Sequence, residues 1–505
     1  MTEVDLSRLP VNGGFFILSG KKSGPFVWPA RCDGPLEFMG TYRNSGAPIR
    51  DALISMIESA QHRVFIASFM LGDEAVIQAL LRAAERLRGG VYVITALDEK
   101  SLRRGMRELE GNDGESPEER KKNFKRLTTG GIYVRGHAEC HAKLAVVDSS
   151  VALLGSANFV TNGFTWTGEA NIRVTDREIV LNVARLFADL WYRGCGWEIP
   201  PGETYSVAER QPSQSPAPVP VEITGGQGVV WTNGDESHGL LAAIHNVIDG
   251  SRSELLLASY SIVGMRENPG LLIDSVRRAR TRGVRVKLLI RQRNAYPEQM
   301  ADVVALADMG VEVYGDTRNH AKVAIADGKD AVVFSANFDA KHGLTSGVEA
   351  GIRLNDHRTI GHLCAYLAHA MTEADTSFAL HPTHGDIDGR LAARWCKPWP
   401  HKGPVRFAGG AAHCRRLFDS LRVGPVLFEQ AKSGLCRLYA GDVAADLAIL
   451  DSGTGTAVLQ NLDNAKDSSS ERLKTWLSSV REEKMDGPVR GFCSARVCLA
   501  TTPLA

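Results

Sequence analysis

The stretch HAKLAVVDSSVALLGSANF occupies residues 141–159. It sets a histidine and a lysine two positions apart, then an aspartate, then a serine and an asparagine, with short apolar runs between them. HAKVAIADGKDAVVFSANF, residues 320–338, repeats that order. The offset is constant: 320 − 141, 327 − 148 and 337 − 158 all equal 179. A single copy would read as polar residues at strand ends. Two copies, both closing on Ser-Ala-Asn-Phe, read as a duplicated module.

The repeat extends outward from these stretches. DALISMIESAQHRVFIASFM (51–70) matches GLLAAIHNVIDGSRSELLLASY (239–260) as a helical period followed by a β-rich run. AVIQALLRAAERLRGGVYVIT (75–95) and GLLIDSVRRARTRGVRVKLLI (270–290) each give an amphipathic helix, a glycine stop and a buried strand. LTTGGIYVRG (127–136) and LADMGVEVYG (306–315) follow. Strands with continuous apolar runs that alternate with helices predict an α/β fold, its sheets covered by helices. Ser68 to His141 is 73 residues, and Ser259 to His320 is 61. The excess falls on GNDGESPEERKKNFKR (111–126), whose mixed charges predict a solvated loop. ERQPSQSPAPVPVE (209–222) has linker composition. The expected organisation is a first half over 1–205, a linker over 206–222, a second half over 223–379 and a C-terminal segment over 380–505.

Side chains alternate along a strand. Read as strands, HAKLAVVD points His141 and Lys143 the same way, and VALLGSANF does so for Ser156 and Asn158. His320, Lys322, Ser335 and Asn337 repeat the arrangement. Glu169 and Glu349 follow their asparagines by 11 and 12 residues (169 − 158 and 349 − 337). Two copies face to face would supply two imidazoles among two ammonium groups and two amides. That set suits a phosphodiester: lysine and amide donors stabilise charge on non-bridging oxygens. A neutral histidine attacks phosphorus while a protonated one donates to the leaving oxygen. A carboxylate beside each ring fixes its tautomer. This chemistry calls for no metal and no cofactor.

The two stretches resemble the paired HKD motifs of the phospholipase D superfamily, H-x-K-x4-D followed by G-[SG]-x-N. The resemblance covers roughly residues 40 to 370. It implies two α/β halves, mixed sheets flanked by helices, packed around one central site; the segment after about residue 380, where the repeat stops, is expected to be a small separate domain. It implies a covalent phosphohistidine intermediate. By position, His141 and His320 are nucleophile and general acid, with His141 the expected nucleophile. Lys143, Lys322, Asn158 and Asn337 bind phosphate, and Glu169 and Glu349 orient the histidines. Asp148 and Asp327 are structural, and Ser156 and Ser335 support the motif. One departure stands out: Gly155 has Phe334 as its counterpart, and a bulky residue there is expected to narrow one side of the entrance.

The superfamily includes phospholipases, phospholipid synthases and nucleases, so the motif selects no substrate. A chain of 505 residues, 44% hydrophobic and 23% charged, has room for two or three domains and the balance of a soluble protein. No apolar run reaches the roughly 20 residues of a membrane span, and the N-terminus lacks a signal-peptide pattern. Nine scattered cysteines fit a reducing cytoplasm. A net charge of +1 argues for no partner by itself. Basic stretches at SLRRGMRELE (101–110), ERKKNFKR (119–126) and RRARTRGVRVKLLIRQR (277–293) lean towards nucleic acid, DNA before RNA, as does RWCKPWPHKGPVRF (394–407) with Trp395 and Trp399. The plain alternatives are solvated helix ends for Arg277, Arg278, Arg280 and Arg282, and core anchors for the two tryptophans. The expected function is a metal-independent nuclease, of the kind that serves restriction or phage defence. A soluble phospholipase D or phosphatidyl transferase acting on phospholipid is the alternative, and a non-catalytic nucleic-acid-binding protein is a third reading. In the C-terminal segment, Cys396, Cys414, Cys436, Cys493 and Cys498 lie among His401 and His413, but no C-x2-C pair supports zinc. SSSERLKTWLSSVREEK (468–484) reads as a capped amphipathic helix.

Overall fold

The computed structural model describes residues 2–5, 14–20, 24–29, 34–97, 117–202, 206–211, 213, 219–221, 226–234, 236–292, 297–382 and 386, and the strands 404–407, 426–432, 435–440, 443–449 and 457–462. Local chemistry sets the helix starts. Pro48 opens the helix Pro48–Ser59 at its first turn, where a missing N–H costs nothing. Asp73, Asp176 and Asp356 cap Glu74–Arg86, Arg177–Asp189 and His357–Thr372, each carboxylate accepting from backbone N–H groups of the first turn.

The first sheet runs in the order Ala208–Glu209, Trp197–Ile199, Tyr133–Gly136, Val91–Thr95, Val64–Ala67, Leu144–Val147, Val151–Gly155, Glu169–Val174, Leu36–Thr41. The second runs Ser237–His238, Gly228–Asn233, Val348–Leu354, Asp330–Phe334, Val323–Ala326, Glu254–Ser259, Arg285–Ile290, Glu312–Gly315, Thr376–Ala379, Phe15–Leu18. Read from opposite ends, the two sheets share a seven-strand order from Tyr133–Gly136 to Leu36–Thr41 and from Glu312–Gly315 to Gly228–Asn233. Both are mixed: Val64–Ala67 pairs parallel with Val91–Thr95 and antiparallel with Leu144–Val147, and Glu254–Ser259 does the same with its two neighbours. Leu144–Val147 and Val323–Ala326 are buried along their whole length, which explains their unbroken apolar sequence.

The sheets face each other. Leu144, Val146, Leu154 and Ile172 of the first share one core with Val323, Ile325, Val333 and Ile352 of the second. The outer face of the first sheet carries Pro48–Ser59, Glu74–Arg86 and Pro117–Thr129, and that of the second carries Gly239–Gly250, Ile273–Thr281 and Pro297–Asp308. Arg177–Asp189 and His357–Thr372 belong to the inner core, and each also touches the other half, at Gly228–Asn233 and Leu36–Thr41 respectively.

Two expectations are corrected. Phe15–Leu18, assigned to the first half, pairs with Thr376–Ala379 at the edge of the second sheet. The 111–126 insertion is not all loop: from Pro117 it is helical to Thr129. Arg120, Phe124 and Leu127 form the buried stripe of that helix, spaced as one face requires. In the C-terminal segment, the described strands 426–432, 435–440, 443–449 and 457–462 make an antiparallel meander.

Candidate active site at the seam of the halves

The motif histidines and lysines lie just before their strands, not within them: Leu144–Val147 and Val323–Ala326 begin one residue after Lys143 and Lys322. The hairpin turns at the far ends of these strands take left-handed backbone at Asp148 (φ 52°), Ser149 (φ 54°) and Asp327 (φ 54°). The Asp148 carboxylate accepts from the backbone N–H groups of Gln61, His62 and Arg63 at 2.6–2.9 Å. Asp327 accepts from those of Arg252, Ser253 and Glu254 at 2.8–2.9 Å. Partial burial pushes these carboxyls up, but the N–H donors outweigh it, and Asp327 falls to about 2. Both aspartates thus pin a turn to a helix–strand junction, away from the histidines.

Each histidine is seated on the opposite half. The His141 N–H donates to Val348 O (2.8 Å), and the Val348 N–H to Glu139 O (2.9 Å). Across the pseudo-two-fold, the His320 N–H donates to Gly168 O (2.9 Å), and the Gly168 N–H to Arg318 O (2.9 Å). The carboxylates are exchanged in the same way. His141 Nδ1 lies 2.9 Å from Glu349 Oε1, and His320 Nδ1 lies 2.7 Å from Glu169 Oε1. Each acid's second oxygen accepts from the serine of its own half: Ser156 Oγ to Glu169 at 2.6 Å and Ser335 Oγ to Glu349 at 2.5 Å. Those serines accept in turn from the Ala170 and Ala350 N–H groups, both at 2.9 Å. A carboxylate on Nδ1 fixes the tautomer and aims Nε2 away from it.

Lys143 and Lys322 are fully buried, each donating one N–H to the carbonyl of its own histidine, at 2.6 and 2.8 Å. Their ammonium groups lie 5.9 Å and 5.5 Å from the ring centroids of Phe69 and Tyr260. Those rings meet His141 and His320 edge to face, at 5.2 and 5.1 Å. A guanidinium closes each ring: Arg120 lies 6.0 Å from Phe69, and Arg291 lies 5.2 Å from Tyr260. Asn158 and Asn337 are nearly buried, and neither Oδ1 has a hydrogen-bond partner among the described residues. The sequence reading missed Phe69, Tyr260, Arg120 and Arg291. A signal existed for the rings, since each follows the serine of a recurring Ala-Ser pair; the arginines lay in the basic runs at 119–126 and 277–293, but nothing in the sequence tied them to the histidines.

Burial pushes the Glu169 and Glu349 carboxyls up. The opposing histidine, the lysine and the serine outweigh this and hold both below the ordinary carboxylate range. Burial pushes the His320 imidazole down to about 4, against the pull of Glu169 and with the help of Lys322 and Lys143. Burial thus favours the neutral form of His320. Its Nε2 is buried with no hydrogen-bond partner among the described residues.

Of the predicted set, His141, Lys143, Glu169, His320, Lys322 and Glu349 come together at this seam, and Asn158 and Asn337 are buried. The narrowed entrance does not hold. Phe334 is fully buried in the outer core of the second half, beside Phe338. The basic run at 277–293 is largely engaged: Arg277 pairs with Asp274, Arg278 with Asp249, and Arg285 and Lys287 with Glu254. Arg282 donates to the carbonyls of Ile248 and Ser251. These pairings take Arg277, Arg278, Arg282, Arg285 and Lys287 out of the case for nucleic acid. Residues 101–110, Trp395, Trp399, Cys396, Cys414, Cys493, Cys498, His401, His413 and the 468–484 helix lie outside the described residues. Among the described residues, no group of three or more His, Cys, Asp and Glu side chains could hold a metal ion, and no helix is long and apolar enough to cross a membrane.

The family model of the phospholipase D (PLD)-like domain, described as that of cardiolipin synthase, matches residues 53–191 and 244–371, more than half of the chain. Among solved structures, phosphatidylserine synthase from Haemophilus influenzae is similar at a TM-score of 0.48 and 12% identity, over 74% of this chain and 90% of that one. Polyphosphate kinase from Porphyromonas gingivalis gives 0.43 and 14%, over 66% and 50%. Nuc, a phospholipase D family member from Salmonella typhimurium, gives 0.26 and 17%, over 30% and 97%. No curated protein matches the chain.

Proposed function

The chain belongs to the phospholipase D superfamily, and from that premise we propose that it is a phosphodiesterase working through a covalent phosphohistidine, with nucleic acid as its substrate class. One observation carries the reading: two imidazoles, each bound through Nδ1 to a carboxylate of the other half, share a seam with two buried lysines.

His320 is the attacking residue. An imidazole held neutral, with Nδ1–H bound to Glu169 and Nε2 unpartnered, presents the lone pair that displacement at phosphorus requires. This departs from the expectation that His141 attacks. In the first step a bond forms between His320 Nε2 and phosphorus, the bond to the departing oxygen breaks, and His141 gives that oxygen its proton. Glu349 stabilises the imidazolium of His141, and Glu169 that of the phosphorylated His320. In the second step water, or another alcohol in a transfer reaction, attacks phosphorus. His141 takes its proton, and the P–N bond breaks. Lys143, Lys322, Asn158 and Asn337 stabilise the equatorial oxygens as charge builds. The lysines supply positive charge that a divalent ion supplies in other phosphodiesterases. Guanidinium groups over Phe69 and Tyr260 favour a polyanion over an acyl chain.

The test is direct. Purified protein is given bis-p-nitrophenyl phosphate, labelled DNA and RNA oligonucleotides, and phosphatidylcholine vesicles, all in excess EDTA. Hydrolysis of the oligonucleotides, with an acid-labile adduct mapped to His320 by mass spectrometry after rapid quenching, is the expected result. An adduct on His141 reverses the two roles. Turnover of vesicles alone moves the substrate class to phospholipid, and activity that needs added Mg2+ removes the lysine assignment.

A further inference from the structure

The two seams that seat the histidines have the same backbone and opposite chemistry. The residue two before His320 is Arg318, and the residue two before its backbone partner Gly168 is Trp166. The Arg318 guanidinium lies 3.2 Å from the Trp166 ring centroid. At the other seam the counterparts are Glu139, two before His141, and Ser346, two before Val348. One side carries a cation on an indole, and the other carries a carboxylate and a hydroxyl. Glu139 is exposed and Ser346 half-buried, so both are at the surface of their seam.

We propose that Trp166 and Arg318 form a subsite for a nucleotide arm of the diester, the arm retained on His320 in the covalent intermediate. This rests on the phosphodiesterase reading above. A guanidinium laid on an indole is a flat cationic platform. Its in-plane N–H groups suit a second phosphate, and its π surface suits a base. Glu139, across the axis, disfavours a further phosphate on the departing arm by like-charge repulsion. The substrate therefore binds with one polarity: the anionic, base-bearing arm on the His320 side and the less charged alcohol on the His141 side. The duplication alone would permit both orientations.

The experiment compares two chromogenic diesters, the 5′-p-nitrophenyl ester of thymidine 3′,5′-bisphosphate and bis-p-nitrophenyl phosphate. Both release the same phenol, and only the first carries a base and a second phosphate. The wild-type protein is expected to prefer the first by at least about tenfold in kcat/KM. Arg318→Ala and Trp166→Ala should each cut that ratio about tenfold through KM, and Arg318→Lys should fall between, keeping charge without the flat face. Glu139→Gln should admit a second phosphate on the departing arm, read as faster cleavage inside a longer oligonucleotide. An equal loss on both diesters assigns the pair a structural role and overturns the subsite. So does a wild-type protein that cleaves both equally well. Turnover of neither diester overturns the phosphodiesterase reading itself.

Discussion

The two halves solve one packing problem in opposite ways. In the first, Gly155 faces Asn171 across neighbouring strands; in the second, Phe334 faces Gly351. A Cβ at Gly155 would meet Ala170 O at 2.3 Å, and one at Gly351 would meet Phe334 Cβ at 2.8 Å. One member of each facing pair must lack a side chain, and the two copies chose different members. Asn171 uses its space to accept from the Ala157 N–H, while Phe334 fills the outer core. The guanidinium over each site ring shows the same freedom. Arg120 comes from a helix and Arg291 from just beyond the strand Arg285–Ile290, yet both reach the ring beside a histidine. Conserved between the copies are the histidine, lysine, serine, asparagine and glutamate at the seam. What surrounds them is free to differ wherever local volume and charge are restored.

The largest effects should come from the histidines. His141→Ala and His320→Ala are each expected to lower kcat by about 10³-fold or more, because attack and protonation are separate necessities. Rapid-quench kinetics separates them: His320→Ala should form no adduct, and His141→Ala should form one slowly. The acids come next and test the exchange. Glu169→Gln should impair the half-reaction of His320, and Glu349→Gln that of His141, by about 10²-fold each. If each acid instead phenocopied the histidine of its own half, the exchanged pairing would be wrong.

The pH profile sharpens the asymmetry. Attack needs neutral His320, so activity is lost as pH falls through its pKa. Burial has moved that pKa down from about 6.5 to about 4. The acid limb of kcat/KM should therefore lie well below pH 6.5. Glu169 raises this pKa, so Glu169→Gln should shift the limb to still lower pH. A limb that stays at pH 6.5 would refute the neutral, buried His320. The smallest effect concerns packing. Gly351→Asn, which imposes the first copy's residue on the second, should cost about 1–3 kcal/mol in urea unfolding, and shrinking Phe334 to alanine in the same chain should recover part of the overlap energy.

Much of the centre was legible in the sequence. The constant offset exposed the duplication, and recurrence of an acid after each asparagine singled out Glu169 and Glu349 from the chain's other carboxylates. Their exchange was not legible, because a repeat aligns each residue with its counterpart and is silent on which copy it touches. Arg120 and Arg291 stayed hidden for a related reason: they occupy non-equivalent positions. The 117–129 helix was obscured by its charge, since its buried stripe has few apolar residues and includes an arginine. Phe15–Leu18 joining Thr376–Ala379 pairs a strand ahead of the first half's repeat with one at the close of the second, which no local pattern encodes.

The exchanged carboxylates also carry a history. Alone, either copy would hold a histidine without its acid and an acid without its histidine. Two identical copies about a two-fold axis would restore both pairs at once, which is the contact an isologous homodimer makes. The seam is thus a dimer interface enclosed within one chain. In a true homodimer every substitution appears twice, so an arginine gained beside one histidine is imposed beside the other. Joining the copies end to end removes that constraint. It allows Arg318 on one side of the axis and Glu139 on the other, and so lets a site of symmetric origin tell one end of its substrate from the other.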